Sequence, residues 1–470
     1  MLARSALVVH LFAPSGGDRH DEALAHLARV WEDCGNDLGM TEAVPGTGVG
    51  ADFPADGPAL GLLAARTGSG PGLSQVALRR ERDAVCLSAL MQPEASDWRR
   101  LDARWSEVLG HDDHGLLGAA RLFLALGEAT AESIRMAPAD PEAPAGWWRG
   151  GITVPPGLSV WEMSAADDAR AERRLVVVAG HDQDPALTAW VWTTRERGLP
   201  PLARYLLHAA KLRYQLRVWS ASEPIGSLRS RTDTAIGTLL ERITVAERGA
   251  GPLSELIAAG HVVLDLQARE RGLTDRSTRN REMARTVRIA AVNLTQLGDP
   301  ALGGPFTDDQ ALAEWLEQRL DDETTYLDAA SHRAERTGAL ADQFVERALQ
   351  RRQQVINLGL TGVIGAILMS LAAVQSLEYQ VPLPGPVKPA VVAALGALAL
   401  LAAFVVLRAV APDRRWSSLL LRGAAAGIGA TLAWLAVAVC TGAGLPAAVT
   451  WACATAGAAL AVTIQRRWSP

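Results

Sequence analysis

The 470-residue chain reads as an α+β cytoplasmic region followed by a bundle of four transmembrane helices. Three observations predict that class. Short β-branched apolar runs alternate with helical apolar spacing over residues 1–225. A run without proline begins near Thr307 and continues to Val374. The last quarter holds four stretches without Asp, Glu, Lys, Arg or His: Val355–Val374, Pro389–Leu407, Gly423–Gly442 and Pro446–Ile464. Each is long enough, at about 1.5 Å per helical residue, for a hydrocarbon core of about 30 Å.

Residues 1–135 are expected to form an N-terminal α/β domain. Ala6–Phe12 has the look of a buried first strand. Asp21–Asp33 places Leu24, Leu27, Val30 and Trp31 at helical spacing. Gln75–Arg82 and Ala84–Met91 are strand-like runs that meet at Asp83, and Ser96 can cap a helix whose face carries Trp98, Leu101, Trp105 and Val108. Gly115–Leu126 returns as an apolar strand. The order suggests a ferredoxin-like layer of helices on an antiparallel sheet.

Met136–Gly146, rich in proline and small residues, marks a linker spanning 136–149. Residues 150–225 follow as a second α/β unit with its own small sheet, drawn from Ile152–Met163, Arg174–Ala179 and Ala189–Thr194. Its helix carries Leu202, Tyr205, Leu206, Ala209 and Leu212. Residues 226–350 read as a helical region ending in a long stalk, whose stripe includes Leu312, Trp315, Leu316 and Leu320. Thr307-Asp308-Asp309 starts that stalk, with carboxylates at the positive end of the helix dipole.

Residues 351–470 then carry the four spans, 355–374, 389–407, 423–442 and 446–464. The Arg-rich flanks (Arg351 and Arg352; Arg408, Arg414, Arg415 and Arg422; Arg466 and Arg467) all fall on one side, so both termini are expected in the cytoplasm of a bacterial inner membrane. Gly359, Gly362 and Gly365, and the pair Gly423 and Gly427, let helices approach closely. Packing within the bundle is their first use, and contacts in a homo-oligomer the alternative. The absence of titratable groups inside the spans argues against a proton-coupled transporter.

Charge excludes another class. Seven basic and two acidic residues lie from Val355 onward, so the net charge of −5 leaves −10 for the part before it. An acidic front end is a poor nucleic-acid binder. Cys34, Cys86, Cys440 and Cys453 suggest neither a disulfide framework nor a zinc site, and no secretory signal is evident. Nearly all basic residues are Arg, Lys211 and Lys388 excepted, a bias that fits a GC-rich bacterial source.

No catalytic, cofactor or metal site emerges. His181 ends an apolar strand and Cys86 sits in one, but a Cys–His protease needs the cysteine after the histidine in the chain. His111-Asp112-Asp113-His114 lacks a second cluster with ligand spacing. Thr67–Gly72 lacks the Gly-Lys-Ser/Thr of a phosphate loop. One candidate partner-binding patch remains: His208, Lys211, Arg213 and Tyr214 on a single helix. Its plainer reading is an intramolecular salt-bridge surface.

Asp83-Ala84-Val85-Cys86-Leu87-Ser88, the helix bearing Trp98, Leu101 and Trp105, the Gly115–Leu126 run, and the stretch from Arg204 through Tyr205, His208 and Lys211 to Tyr214 together resemble the CATRA (caspase/TPR-repeat-associated) proteins of actinobacterial conflict systems. The resemblance covers most of residues 1–350 and rests on general pattern rather than catalytic motifs. It implies a non-enzymatic component that works beside a caspase-like protease or a TPR protein on a separate chain, here anchored to membrane lipid or perturbing it. A second likeness is architectural: α/β, then helices, then a long helix entering the membrane resembles CorA-type cation channels. That family carries Gly-Met-Asn after its first span, where this chain has Gln375-Ser376-Leu377-Glu378-Tyr379.

Overall fold

The computed structural model describes residues 3–54, 58, 60–92, 97–110, 115–128, 151–163, 167–193, 198–379, 387–410, 414–441 and 446–468. These residues divide into two compact units, Met1–Thr238 with His261–Glu335, and Leu239–Gly260 with Arg336–Pro470.

The first unit is built on one sheet of nine strands. They are β1 (Ala3–Pro14), β2 (Met40–Ala43), β3 (Leu60–Gly68), β4 (Leu73–Glu81), β5 (Ala84–Gln92), β6 (Gly118–Leu126), β7 (Ile152–Val154), β8 (Leu158–Glu162) and β9 (Glu172–Ala179), in the order β2-β3-β4-β5-β1-β6-β9-β8-β7. β6 and β9 run parallel, Leu122 opposite Leu175, while the other neighbours are antiparallel. β1 lies between β5 and β6, with Leu7 opposite both Met91 and Phe123.

Side chains alternate across a strand, so an uninterrupted apolar run is stable only if both faces are covered. In β1, Leu7, Val9, Leu11 and Ala13 pack under helices α1 (His20–Asn36) and α2 (Trp98–Leu109). Ala6, Val8 and Phe12 face the opposite layer, which holds α3 (Asp184–Val191), α4 (Pro201–Ser220), α7 (Leu273–Leu297) and the first turns of α8 (Gly304–Tyr379). In the sequence, α5 (Ile225–Glu247) and α6 (Leu253–Ala268) come between α4 and α7. On α2, Trp98, Leu101, Trp105 and Val108 are buried as their spacing predicts. Its cap is Asp97, whose side chain accepts from the Arg100 backbone N–H; Ser96 lies outside the described residues.

Two expectations fail inside this unit. The ferredoxin-like layer and the second small sheet are one sheet. The run Leu175-Val176-Val177-Val178-Ala179 is buried on both faces, so β9 joins β6 as an interior strand and brings the β8–β7 hairpin with it. Ala189–Thr194, read as a strand, instead begins inside helix α3, since Asp184 and Pro185 favour a helix start and Leu187 and Val191 bury one turn apart.

The second unit contains α9 (Lys388–Val410), α10 (Arg414–Thr441) and α11 (Ala447–Trp468). The described residues of the four apolar stretches are helical, Pro446 excepted, the first stretch lying towards the end of the 76-residue α8. Among the described residues, however, no helix is long and apolar enough to cross a membrane. This overturns the four-span transmembrane bundle and with it the multi-pass inner-membrane placement. The lipid partner and the CorA-type channel lose their footing too. The close helix approach falls at other glycines than those the sequence singled out. A Cβ added at Gly365, Gly423 or Gly427 would meet nothing within 4 Å, whereas one on Gly429 would collide with the Gly457 carbonyl, and one on Gly457 with that of Gly429. Val387, Ala390 and Ala438 bury against Trp434 and Leu435, while Leu398, Trp451 and Leu460 stay exposed. The linker at 136–149 lies outside the described residues.

Phe123 sits at the centre of the sheet with no exposed surface. Phe123→Ala is expected to cost about 3–5 kcal/mol in urea unfolding, and a loss below about 1 kcal/mol would contradict the central place of β6.

Candidate functional site

The charged residues that open β9 organise the first unit. Arg173 and Arg174 are adjacent in the strand, so they point to opposite faces, and both are buried. Arg174 joins a square of charges under α2. It lies 3.0 Å from Asp102 Oδ2 and 2.9 Å from Glu172 Oε1, while Arg121 reaches the other oxygens of the same carboxylates at 2.6 and 2.9 Å.

Arg173 reaches the other way. Its Nε and Nη2 donate to both oxygens of Glu162 on β8, at 2.6 and 2.7 Å. Its Nη1 donates to Asp309 Oδ2 on α8 at 2.7 Å. The Tyr205 hydroxyl on α4 donates to the same oxygen at 2.7 Å. Arg213, also on α4, stands 2.6 Å from Asp309 Oδ1, an ion pair without hydrogen-bond alignment. Arg170 completes the seam at 2.8 Å from Glu162. Asp309 is 0 % exposed, so its charge is stable only inside this cluster.

Burial alone would raise both carboxyls. For Glu162 the Arg173 guanidinium, backed by Arg170 and Arg213, outweighs burial and holds the group below its ordinary range. For Asp309, Arg173 and Arg213 do the same against the opposing charge of Glu162. Burial, then Asp309, pushes the Tyr205 phenol well above its usual value, so it remains a donor.

A cleft of about 710 Å³ opens beside this seam. One wall is the segment Asp167–Ala169 before β9, tied down where Arg217 donates to the Ala169 and Arg170 carbonyls. The second is the end of α4, with Leu216 and Trp219. The third is the start of α8, with Asp308, Leu312 and Trp315. The two indoles meet edge to face, centroids 5.8 Å apart. Trp219 is fixed by its N–H to Glu323 Oε2 at 3.1 Å, and the Arg319 guanidinium lies 5.8 Å from its ring. Trp315 keeps 49 % of its surface exposed.

Family comparisons divide this unit where the seam joins it. Residues 6–195 match the family described as the CASPASE and TPR Repeat-Associated N-terminal domain, and residues 200–334 match its C-terminal counterpart. The chain belongs to the CATRA family. It matches no curated protein and no solved structure. Arg173 and Glu162 come from the N-terminal CATRA domain, Tyr205, Arg213 and Asp309 from the C-terminal one, so the seam and the cleft both lie where the two domains meet.

The four residues of the candidate patch go to separate places in the CATRA-C region. His208 is half-buried, its Nδ1 3.4 Å from Asn293 Nδ2, and burial followed by Lys211 lowers its pKa to about 4. Lys211 pairs with Asp83 in the β4–β5 turn at 2.7 Å. Arg213 faces inward to the seam. Tyr214 lies under the Arg217 guanidinium at 5.7 Å. His181 is exposed after β9, and two strands separate β9 from the β5 that carries Cys86. Burial pushes the Cys86 and Cys34 thiols up, Cys34 to about 12. Thr67–Gly72 closes the β3–β4 hairpin, where the Thr67 hydroxyl donates to the Ser74 carbonyl. Residues 111–114 lie outside the described residues, and no metal-holding group occurs among those described. Sequence reasoning missed His10, fully buried with Nδ1 2.9 Å from Ser88 Oγ, its pKa lowered to about 3 by burial and then by Arg79.

These groups set an acid dependence. His10 and His208 are held neutral, so the stability they contribute is complete above their ordinary value of 6.5 and is lost as pH falls toward about 3 and about 4. Glu162 and Asp309 are held ionised, and their contribution starts to be lost only below 4.5 and 3.8. Unfolding free energy is therefore expected to decline from pH 6.5 downward, by up to about 1.4 kcal/mol per pH unit for each group titrating, and more steeply below pH 4.5. A flat profile between pH 7 and pH 4 in urea titrations would contradict this.

Proposed function

We propose that this chain is a non-enzymatic, partner-binding component of a bacterial conflict system, and that its CATRA region engages a caspase-like protease or a TPR-repeat protein on a separate chain. The cleft beside the seam carries the reading. Exposed tryptophan next to charged side chains is the composition of a protein-binding hot spot. Its walls come from both CATRA domains, so a partner seated there reads the folded pair rather than either domain alone.

Two further observations support a binding role over a catalytic one. The seam's charges are consumed by one another, with no exposed member poised for proton transfer. The Cys86 thiol is buried in a strand and its pKa is raised by that burial, the opposite of what a nucleophile requires. The name of the family supports the choice of partner class.

Co-expression of the full chain with the caspase-like and TPR proteins of the same genome tests this. One of them is expected to co-purify in stoichiometric amount, and Trp315→Ala to weaken the complex at least about tenfold, the size of a hot-spot loss of 1–2 kcal/mol. Co-purification of neither, or peptide hydrolysis abolished by Cys86→Ser or His181→Ala, would contradict it.

A further inference from the structure

The lining of the cleft specifies the chemistry of what it takes. Its charged lining members are Asp167, Asp168 and Asp308; the nearby Arg170 guanidinium stands 3.7 Å from Asp168 and offsets part of that charge. The apolar members include two indoles, whose faces carry the negative lobe of the ring quadrupole. Both features attract a cation, and both repel an anion. The protein itself places a guanidinium near one of these rings, with Arg319 beside Trp219. Trp315, the more exposed ring, lies on the same helix as Asp308, seven residues and about two turns along it.

Charge at longer range has the same sign. The part of the chain before Val355 carries a net charge of −10 out of a total of −5. A basic segment is drawn toward such a surface, and the cleft is where aromatic and carboxylate groups converge. Arg fits this chemistry better than Lys. A guanidinium stacks flat on an indole while its edge N–H groups fork onto a carboxylate, whereas an ammonium is a compact and strongly hydrated point charge. A cleft of about 710 Å³ holds more than one side chain, so the ligand is a short stretch of polypeptide rather than a single residue.

We infer that the cleft formed by Trp219, Trp315, Asp168 and Asp308 binds an arginine side chain presented by a basic segment of the protein partner. This rests on the partner-binding reading above and adds to it the chemistry of the contact. Arginine inserts against Trp315, and the aspartates at the mouth hold its guanidinium. Binding is therefore weakened by salt.

The test uses the full chain and three fluorescein-labelled peptides of equal length: Gly-Ser-Arg-Gly-Arg-Ser-Gly, the same peptide with citrulline for arginine, and the same with lysine. Anisotropy is expected to show the arginine peptide binding at least tenfold tighter than the citrulline peptide and severalfold tighter than the lysine peptide. Trp315→Ala and Asp308→Asn, both at exposed positions, should each weaken it at least fivefold and leave the thermal midpoint in place. Equal affinity for arginine and citrulline, or unchanged binding in both variants, would overturn the inference. If the partner still co-purifies in that case, the partner-binding reading survives and only the arginine contact falls. If the arginine peptide binds as expected while neither partner protein is captured, the cleft's chemistry stands and the choice of partner falls.

Discussion

Asp309 is a carboxylate with no solvent exposure, and it keeps its charge only because Arg173 and Arg213 close on it and the Tyr205 hydroxyl donates to it. A bare ion at that depth would cost several kcal/mol. The constraint therefore acts on three elements at once: β9, α4 and α8 must arrive together, or none of the charges is satisfied. Tyr205 adds an apolar contact to the polar one, its ring meeting Phe306 edge to face at 4.7 Å. Gly298 permits this closeness, since a Cβ there would press on both rings. Once α8 is fixed at Asp309, the neighbouring Asp308 and, two turns on, Trp315 are carried to the cleft.

The sheet depends on a second use of the same strand. Because side chains alternate, Arg173 and Arg174 serve two different layers from adjacent positions. One ties β9 to the helices of the C-terminal CATRA domain and the other ties it to α2 of the N-terminal domain. Charge thus does at the end of β9 what Leu175 to Ala179 do along its middle, which is to cover both faces. Apolar packing supplies the larger share of the stability, while the paired charges fix which elements meet. The specificity of the arrangement resides in the buried ions.

Much of the strand and helix content was legible. Ala6–Phe12 lies within β1, the Trp98 to Val108 face is buried in α2, and the proline-free run from Thr307 is helix α8. Periodicity is a local signal, and these elements are set locally. The partition into two sheets failed because nothing local tells an interior strand of a large sheet from one of a small sheet. Ala189–Thr194 failed because Thr, Val and Trp favour strands while Asp184 and Pro185, just upstream, set a helix start. The membrane bundle failed because apolar length alone does not separate a span from helices that pack on one another through glycine. The seam was invisible: Arg173 and Asp309 stand 136 residues apart, and each looks in isolation like a surface charge. Arg213 was singled out for its charge but belongs to the interior. Trp315 stood out only as a member of a helical stripe, with nothing to mark it as part of a cleft.

The account stands on the coupling between β9 and α8, and a double-mutant cycle measures it directly. Unfolding free energies would be compared for the parent chain, Arg173→Met, Asp309→Asn and the double variant, in urea at pH 7. Each single change leaves buried charge uncompensated, so the double variant is expected to be more stable than the sum of the two by at least about 1.5 kcal/mol. Losses that add to within about 0.5 kcal/mol would mean that the two residues do not feel each other, and the seam would not be what joins the CATRA domains.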